Sequence, residues 1–194
     1  MKNLTFAFVT LSVILALSFS ASPYRRVCYY YDPASLPMSY LNYTVCTHII
    51  YYGVQYNDST STFYWAKPID ASAVANLTKA KDQYGFKVIA EKGGALESIC
   101  GSQQNMSRFA NAAVKFLKDS NLDGIDFDWE FPQGKWKEPY AQFLKTVRKA
   151  FDAAGSPKLS LSMAASAIEL LIAESYDIPS FGESLDFLSI MVSA

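Results

Sequence analysis

The chain has 194 residues and a nearly balanced charge, with 17 Lys and Arg against 18 Asp and Glu. No basic run or patch stands out, so nucleic acid and anionic membranes are poor candidates for partners. The 13 Tyr and 13 Phe residues suit stacking on sugar rings as well as an ordinary core, and composition alone does not distinguish the two.

Residues 1–21 predict a secretory signal peptide. Lys2 supplies the positive start, the stretch Phe6–Phe19 is mostly apolar and uncharged, and small residues follow it. A membrane anchor is the weaker interpretation, because the apolar core is short and Pro23 comes soon after it. No later segment could span a bilayer. We therefore expect a secreted, extracellular protein in which residues 22–194 fold, with a net charge of about −2 once Lys2 is removed.

Secretion permits disulfides, and the chain has three cysteines. Cys28 lies in an apolar run at residues 27–31, and Cys46 opens a second run at residues 46–52. If the two runs are neighbouring strands about 4.8 Å apart, their cysteines lie at the same end and within disulfide range. We predict a Cys28–Cys46 bridge. Cys100 would then be buried, reactive or paired with another molecule.

N-glycosylation is predicted at the Asn-x-Ser/Thr sequons that follow the signal segment. They are Asn42, Asn57, Asn76 and Asn105.

The remaining chain reads as alternating strands and helices. Strands are predicted at residues 27–31, 47–54, 86–91, 122–130, 158–164 and 186–192, and helices at residues 72–84, 106–119 and 139–154. Strands separated by helices indicate parallel pairing, which leaves a doubly wound sheet or a (β/α) barrel. The first strand–helix turn has no Gly-x-Gly-x-x-Gly, so nucleotide binding has no support.

Residues 122–130 read Leu-Asp-Gly-Ile-Asp-Phe-Asp-Trp-Glu and are the most informative segment. Alternation along a strand places Asp126, Asp128 and Glu130 on one face and the apolar side chains, Trp129 among them, on the other. A solvated acidic edge and a site for a hard cation are both open interpretations. We favour acid–base catalysis, because crowding raises the pKa of a carboxyl and bulky neighbours indicate a covered strand. Such a cluster at a strand's carboxyl end fits a barrel.

The segment Asp123–Pro132 resembles the strand-4 motif of family 18 glycoside hydrolases, the chitinases and chitinase-like lectins, which reads Asp-x-x-Asp-x-Asp-x-Glu. Other runs resemble the family in the expected order: Cys28-Tyr29, residues 46–51, Gly93-Gly94 and residues 176–187. The resemblance implies an α/β fold of the (β/α)8 TIM-barrel type, incomplete with about six βα units, and makes residues 22–194 a partial catalytic domain. Open edges on the first and sixth strands predict low stability and self-association.

The resemblance also implies roles for individual residues in the cleavage of β-1,4-linked N-acetylglucosamine. Glu130 would be the general acid, the substrate's acetamido oxygen the nucleophile, Asp128 the partner of the acetamido N–H, and Asp126 the support of Asp128. This substrate-assisted retaining scheme is an exception to the use of two protein carboxylates. Chitin or chito-oligosaccharides would be the ligand. Substrate contacts are expected from Tyr29, Gly93, Gly94, Trp136 and Met191.

No cofactor and no metal are expected, since His48 is the only histidine and is predicted to be a core residue. The chain departs from the family in places. Glu91 stands where chitinases usually have Ser, Ala95 where they have a sugar-stacking Trp, and Gly53 near the usual position of an aromatic residue.

The chain's last four residues, Met191 to Ala194, replace the family's Met-x-Tyr-Asp/Asn, and no seventh or eighth strand follows them. That ending is typical of truncation or alternative splicing. These departures predict weak hydrolysis and leave two alternatives, a non-catalytic chitin-binding protein and a fragment without activity of its own.

Overall fold

The computed structural model describes residues 24–31 and 33–192, so the predicted signal peptide lies outside the described residues. The strands are β1 (Val27–Tyr30), β2 (His48–Tyr52), β3 (Val54–Asn57), β4 (Thr62–Trp65), β5 (Lys87–Gly93), β6 (Gly124–Asp128), β7 (Ser160–Ser166) and β8 (Phe187–Met191). The helices are α1 (Pro68–Tyr84), α2 (Glu97–Cys100), α3 (Gln103–Asp119), α4 (Lys137–Ala153), α5 (Glu169–Ser175) and α6 (Ile178–Ser184), with short 3-10 helices at Met38–Tyr40 and Gly134–Trp136.

A parallel sheet of six strands, in the order β1-β2-β5-β6-β7-β8, forms the centre of the molecule. The sheet is curled, so that side chains on its two edge strands meet across the inner face. The hydroxyl of Tyr29 on β1 hydrogen-bonds to Ser189 on β8. The fold is therefore an incomplete TIM-barrel, as the sequence predicts. Within the described residues, β1 and β8 are edges that pair with no further strand.

One predicted strand, at residues 47–54, is wrong in its extent. The strand is interrupted at Gly53, whose φ of 126° favours glycine. The next strand, β3, pairs with β4 as an antiparallel hairpin. A Cβ on Gly53 would lie 3.0 Å from the Asp70 carboxylate. That carboxylate accepts hydrogen bonds from the Tyr51 hydroxyl (2.8 Å) and the Lys67 backbone N–H (2.8 Å), so α1 begins at Pro68 instead of residue 72.

The acidic strand is shorter than predicted, because β6 ends at Asp128. Asp128, the last residue of β6, pairs with Gly93 on β5. The backbone N–H of Gly94, which follows β5, donates a hydrogen bond to the Asp128 carbonyl at 3.0 Å. Glu130 therefore follows the strand and does not continue the alternating face. The other strands of the sheet begin and end within three residues of their predicted bounds. The same holds for helices α3 and α4.

Aromatic side chains fill the layer between the outer face of the sheet and helices α3 and α4. The ring of Phe127 on β6 lies 5.9 Å from that of Phe109 on α3 and 4.9 Å from that of Phe143 on α4. Trp129 is buried beside Tyr140, with ring centroids 5.3 Å apart, which agrees with its predicted place away from the carboxyls. This layer fixes the strand whose opposite face carries the carboxyls.

The Cys28–Cys46 disulfide is present, with Cα atoms 6.0 Å apart, as the sequence predicts. Cys100 is buried in the core, and burial raises the pKa of its thiol to about 12, which makes it unreactive. His48 is also buried and hydrogen-bonds with Thr47, in agreement with the sequence. Across residues 24–31 and 33–192, no helix combines the length and hydrophobicity needed to cross a membrane.

Candidate functional site

Carboxyl groups from two neighbouring strands meet on the inner face of the curled sheet. In the parallel register of β5 and β6, Glu91 lies opposite Asp126, and Gly93 lies opposite Asp128. Because residues two apart share a strand face, Glu91, Asp126 and Asp128 form one cluster. Phe127, between the two aspartates, points to the helix-facing layer. The cluster lies toward the carboxyl ends of the strands, where barrel active sites are built.

Asp126 is the most enclosed member of the cluster, with no exposed surface. Its Oδ2 accepts a hydrogen bond from the Tyr29 hydroxyl at 3.2 Å, and its Oδ1 accepts one from the Ser162 hydroxyl. Burial raises the pKa of Asp126 to about 7, although these two hydrogen bonds lower it. Burial also raises the pKa of Tyr29, so that its phenol stays protonated and can act as a donor.

Asp128 lies beside Asp126 but is more open. Burial raises the pKa of its carboxyl, and the charge of Glu130 raises it further. Its Oδ1 is buried and has no hydrogen-bond partner among the described residues. A buried acceptor without a donor is costly, which marks this oxygen as a point where a ligand or a proton would be stabilised.

Glu91 completes the cluster and is only 2% exposed. Burial raises the pKa of its carboxyl to about 8, and the charges of Asp128 and Asp126 contribute. Its Oε1 also has no hydrogen-bond partner within the described part of the chain. Gly93 leaves space for this oxygen, since a Cβ on Gly93 would lie 2.5 Å from it. The position that departs from the family therefore faces the centre of the site.

Glu130 lies at the mouth of the site and is exposed. With Phe131, Ser166 and Met191 it lines a cleft of about 320 Å³. The nearby hydroxyl of Tyr176 accepts a hydrogen bond from the Ser166 backbone N–H at 3.3 Å. Burial raises the pKa of Tyr176, and the charges of Asp128 and Glu130 add to this effect. Glu130, Met191 and Tyr176 thus border the carboxyl cluster.

The structure brings most of the predicted substrate contacts to this place, but not Trp136. Tyr29 and Gly93 contact the cluster directly, and the Gly94 N–H holds the end of β6. Trp136 packs against Trp129, with ring centroids 6.2 Å apart, on the side of the helix-facing layer. The catalytic and binding roles of all these residues stay predictions.

Two polar residues at the site, Ser162 and Tyr176, were not predicted as site residues. Ser162 pairs with Asp126 in the register of β6 and β7, and it alternates with Leu161 and Met163 along the strand. That alternation was the available signal. Tyr176 reaches the site from the loop after α5, which a local pattern does not indicate.

The sequons differ in their surroundings. Asn42, Asn57 and Asn76 are exposed, and the Oδ1 of Asn42 accepts hydrogen bonds from the backbone N–H and the hydroxyl of Thr44. Asn105 is partly buried, and its Nδ2 donates to the Ser98 carbonyl at 2.8 Å. Glycosylation stays a prediction at all four.

Two further features of the described residues do not compete with this site. A larger groove of about 450 Å³ lies between α3 and α4, and no carboxylate lines it. Among residues 24–31 and 33–192, no group of three or more His, Cys, Asp or Glu side chains has the geometry of a metal site. The inner carboxyl cluster is therefore the candidate for chemistry.

Known proteins resemble this chain in both sequence and fold. The family Glycosyl hydrolases family 18 matches residues 25–193. An endochitinase of Brugia malayi is 32% identical over 197 residues, which covers 87% of this chain and 38% of that enzyme. The chain belongs to family 18 of the glycosyl hydrolases.

Two solved structures show the likeness in three dimensions. The immunomodulatory active chitinase TsES1 of Trichuris suis superimposes with a TM-score of 0.79 at 25% identity, over 87% of this chain and 50% of that one. Catalytic domain 2 of an Ostrinia furnacalis Group II chitinase, a mutant in complex with penta-N-acetylchitooctaose (NAG)5, gives a TM-score of 0.75 at 26% identity, with the same coverage. The chain thus spans half or less of the length of these relatives.

Proposed function

We propose that the chain binds chitin or chito-oligosaccharides along the inner face of its sheet and hydrolyses the β-1,4 bond between N-acetylglucosamine units. The observation that carries the proposal is the neighbouring pair of buried Asp126 and half-buried Asp128, with Glu130 lining the adjoining cleft. The endochitinase of Brugia malayi and the chito-oligosaccharide complex of the Ostrinia furnacalis domain support the choice of substrate.

In the proposed reaction, Glu130 donates a proton to the glycosidic oxygen as that bond breaks. The acetamido oxygen of the same sugar attacks the anomeric carbon, and an oxazolinium ion forms. Asp128 accepts the hydrogen bond of the acetamido N–H and stabilises the positive charge. Water then attacks the anomeric carbon, its proton returns to Glu130, and the sugar keeps its original configuration.

Asp126 is proposed to support Asp128 and not to touch the substrate. The Tyr29 and Ser162 hydroxyls hold both of its oxygens, so its carboxyl cannot rotate. Its burial leaves no surface for a sugar to contact. A fixed neighbour that takes up or releases a proton near neutral pH would let Asp128 change its charge during the reaction.

Binding without hydrolysis is the second candidate function. The exposure of Glu130 favours it, because water around a general acid weakens electrostatic stabilisation of the transition state. Ala95, which stands where chitinases usually have a stacking tryptophan, is exposed and offers a sugar no aromatic surface. Both features predict turnover well below that of a chitinase with an enclosed acid and a stacking tryptophan.

The test compares wild-type protein with the variant Glu130→Gln on a fluorogenic chito-oligosaccharide and on chitin beads. Glu138→Gln, an exposed change at the start of α4, is the matched control. Turnover by the wild type and by Glu138→Gln, but not by Glu130→Gln, supports the hydrolase. Retention on beads without turnover supports the binding protein. Equal turnover by Glu130→Gln contradicts the role of that residue, and neither turnover nor retention contradicts both functions.

We further propose that the protein is secreted and glycosylated. The predicted signal at residues 1–21 and the Cys28–Cys46 disulfide, which suits an oxidising compartment, support secretion. Expression in a eukaryotic cell should place a protein lacking residues 1–21 in the medium, and an N-glycosidase should reduce its mass. Retention of the signal, or no change in mass, would contradict the respective proposal.

Self-association is proposed through the edges of the sheet. β1 and β8 each have one strand neighbour within the described residues, and the apolar side chains of Leu188 and Ile190 on β8 are exposed. Light scattering during gel filtration should show a mass that increases with concentration. A monomer at every concentration would contradict this proposal.

A further inference from the structure

Two buried carboxyl oxygens in the site lack a hydrogen-bond partner among residues 24–31 and 33–192, and they belong to neighbouring strands. One is Oε1 of Glu91 and the other is Oδ1 of Asp128. An ionised carboxylate can only accept hydrogen bonds, so two such groups cannot satisfy each other. One proton changes this, because a protonated carboxyl donates to its neighbour.

The geometry places the Glu91 oxygen beside Asp128. It occupies the space that a side chain on Gly93 would take, and Gly93 is the pairing partner of Asp128. The Cβ position of Gly93 is 2.5 Å from Glu91 Oε1 and 3.7 Å from the backbone oxygen of Asp128. The missing side chain at residue 93 therefore lets the Glu91 carboxyl lie against the end of β6.

The surroundings indicate which carboxyl holds the proton. Asp126 has donors for both of its oxygens, and Asp128 is the more open of the pair, whereas Glu91 is 2% exposed. From β6, Glu91 faces two acidic groups, and from the β2–β3 junction it receives one backbone hydrogen bond, from Gly53. The neighbouring ammonium of Lys92 is engaged by the Gly93 carbonyl. Glu91 is thus the group least able to stay charged.

We propose that Glu91 is a positioning residue that stays neutral at neutral pH and shares one proton with Asp128. The shared proton fixes the direction of the Asp128 carboxyl, so that its other oxygen remains available to the acetamido N–H of a sugar. This last step rests on the proposed function. The burial that raises the pKa of Glu91 to about 8 agrees with the arrangement.

Ionisation of Glu91 should disrupt the arrangement. Above its pKa, the cluster gains a negative charge with no partner for it, and Asp128 loses its donor. A sugar held by Asp128 should then bind less tightly at alkaline pH. Glutamine at residue 91 has a similar size and an N–H donor, but it cannot ionise, so it separates the charge from the packing.

The direct test needs no sugar. The side-chain carboxyl of Glu91 is followed by ¹³C NMR in the full chain with labelled glutamate, and the signal absent from Glu91→Gln assigns it. We expect a midpoint near pH 8, and a lower midpoint in the variant Asp128→Asn. A midpoint near the ordinary 4.5, or one that Asp128→Asn leaves in place, would overturn the shared proton.

The second test measures chitotetraose binding in the variant Glu130→Gln, which prevents turnover. We expect affinity to fall about fivefold or more between about pH 7 and about pH 9.5, and the fall to become clearly smaller when Glu91→Gln is added, with only the ionisation of Asp126 remaining. An equal fall in both proteins would overturn the positioning role. No binding at any pH would contradict the proposed function, and the NMR titration would still decide whether Glu91 shares its proton.

Discussion

The two faces of β6 use the same backbone in opposite ways. On the outer face, Phe127 is fully buried among aromatic rings and has no polar atom to satisfy. On the inner face, Asp126 is equally buried, but its pKa is raised, and one oxygen of Asp128 has no hydrogen-bond partner in the described part of the chain. The comparison indicates that the outer face supplies stability, while the inner face holds carboxyls with raised pKa values at an energetic cost.

The largest expected effect is a loss of stability from the outer face. Phe127→Ala should lower the free energy of unfolding by about 3–5 kcal/mol, because it leaves a cavity among Phe109 and Phe143. Urea denaturation measures the change. If the alanine variant does not fold, Phe127→Leu should cost about 1–2 kcal/mol in the same assay. A loss under about 0.5 kcal/mol in the leucine variant would contradict the role given to this layer.

The next effect concerns the disulfide that joins β1 to the start of β2. Replacing Cys28 and Cys46 by alanine should lower the free energy of unfolding by about 3 kcal/mol, because the bridge closes a loop across a sequence separation of 18. Cys100→Ala is a control for the loss of a thiol outside the bridge. The same stability with and without the bridge would contradict a stabilising role for it.

The inner face should show its cost as a dependence on pH. The pKa of Glu91 is raised from 4.5 to about 8 in the folded state, so the folded protein keeps a proton that the unfolded chain releases. Its stabilising contribution is complete below about pH 4.5 and disappears as the pH rises through 8.

Asp126, whose pKa is raised from 3.8 to about 7, acts in the same direction. Thermal denaturation between about pH 4 and pH 9 should therefore show falling stability in the wild type and a flatter curve in Glu91→Gln, with a difference of about 1–3 kcal/mol at the alkaline end. Parallel curves would contradict the raised pKa of Glu91.

The smallest effect is expected from Tyr29→Phe. The variant removes the hydrogen bond to Asp126 Oδ2 but keeps the ring, so stability should change by about 1 kcal/mol or less. Because that hydrogen bond lowers the pKa of Asp126, the variant should raise it above its value of about 7. A ¹³C titration of the aspartate carboxyls measures the shift. A lower pKa for Asp126 in the variant would contradict the contact.

Local patterns predicted the strands of the sheet and the two faces of β6, because burial on one side of a strand imposes a period of two. Asp126 and Phe127 lie on opposite faces for that reason. The disulfide followed from the same pattern, since neighbouring strands bring Cys28 and Cys46 together.

Long-range contacts decided what the sequence did not predict. The end of β2 before Gly53 depends on Asp70, which lies 17 residues further along the chain from that glycine. The Asp70 carboxylate also accepts a hydrogen bond from the Tyr51 hydroxyl. The end of β6 before Glu130 depends on where β5 ends. The raised pKa of Glu91 needs its burial and its register with Asp126, and neither is visible in the local sequence.

The inner carboxyls of β6 are proposed to form a chito-oligosaccharide site, and NMR of these carboxyls detects whether a sugar binds there. Chitotetraose is titrated into Glu130→Gln protein with ¹³C-labelled aspartate carboxyls. The signals of Asp126 and Asp128 should shift, while those of Asp119 and Asp152, exposed on the helices, should stay in place. Shifts confined to the helix aspartates, or no shift at saturating sugar, would contradict the claim.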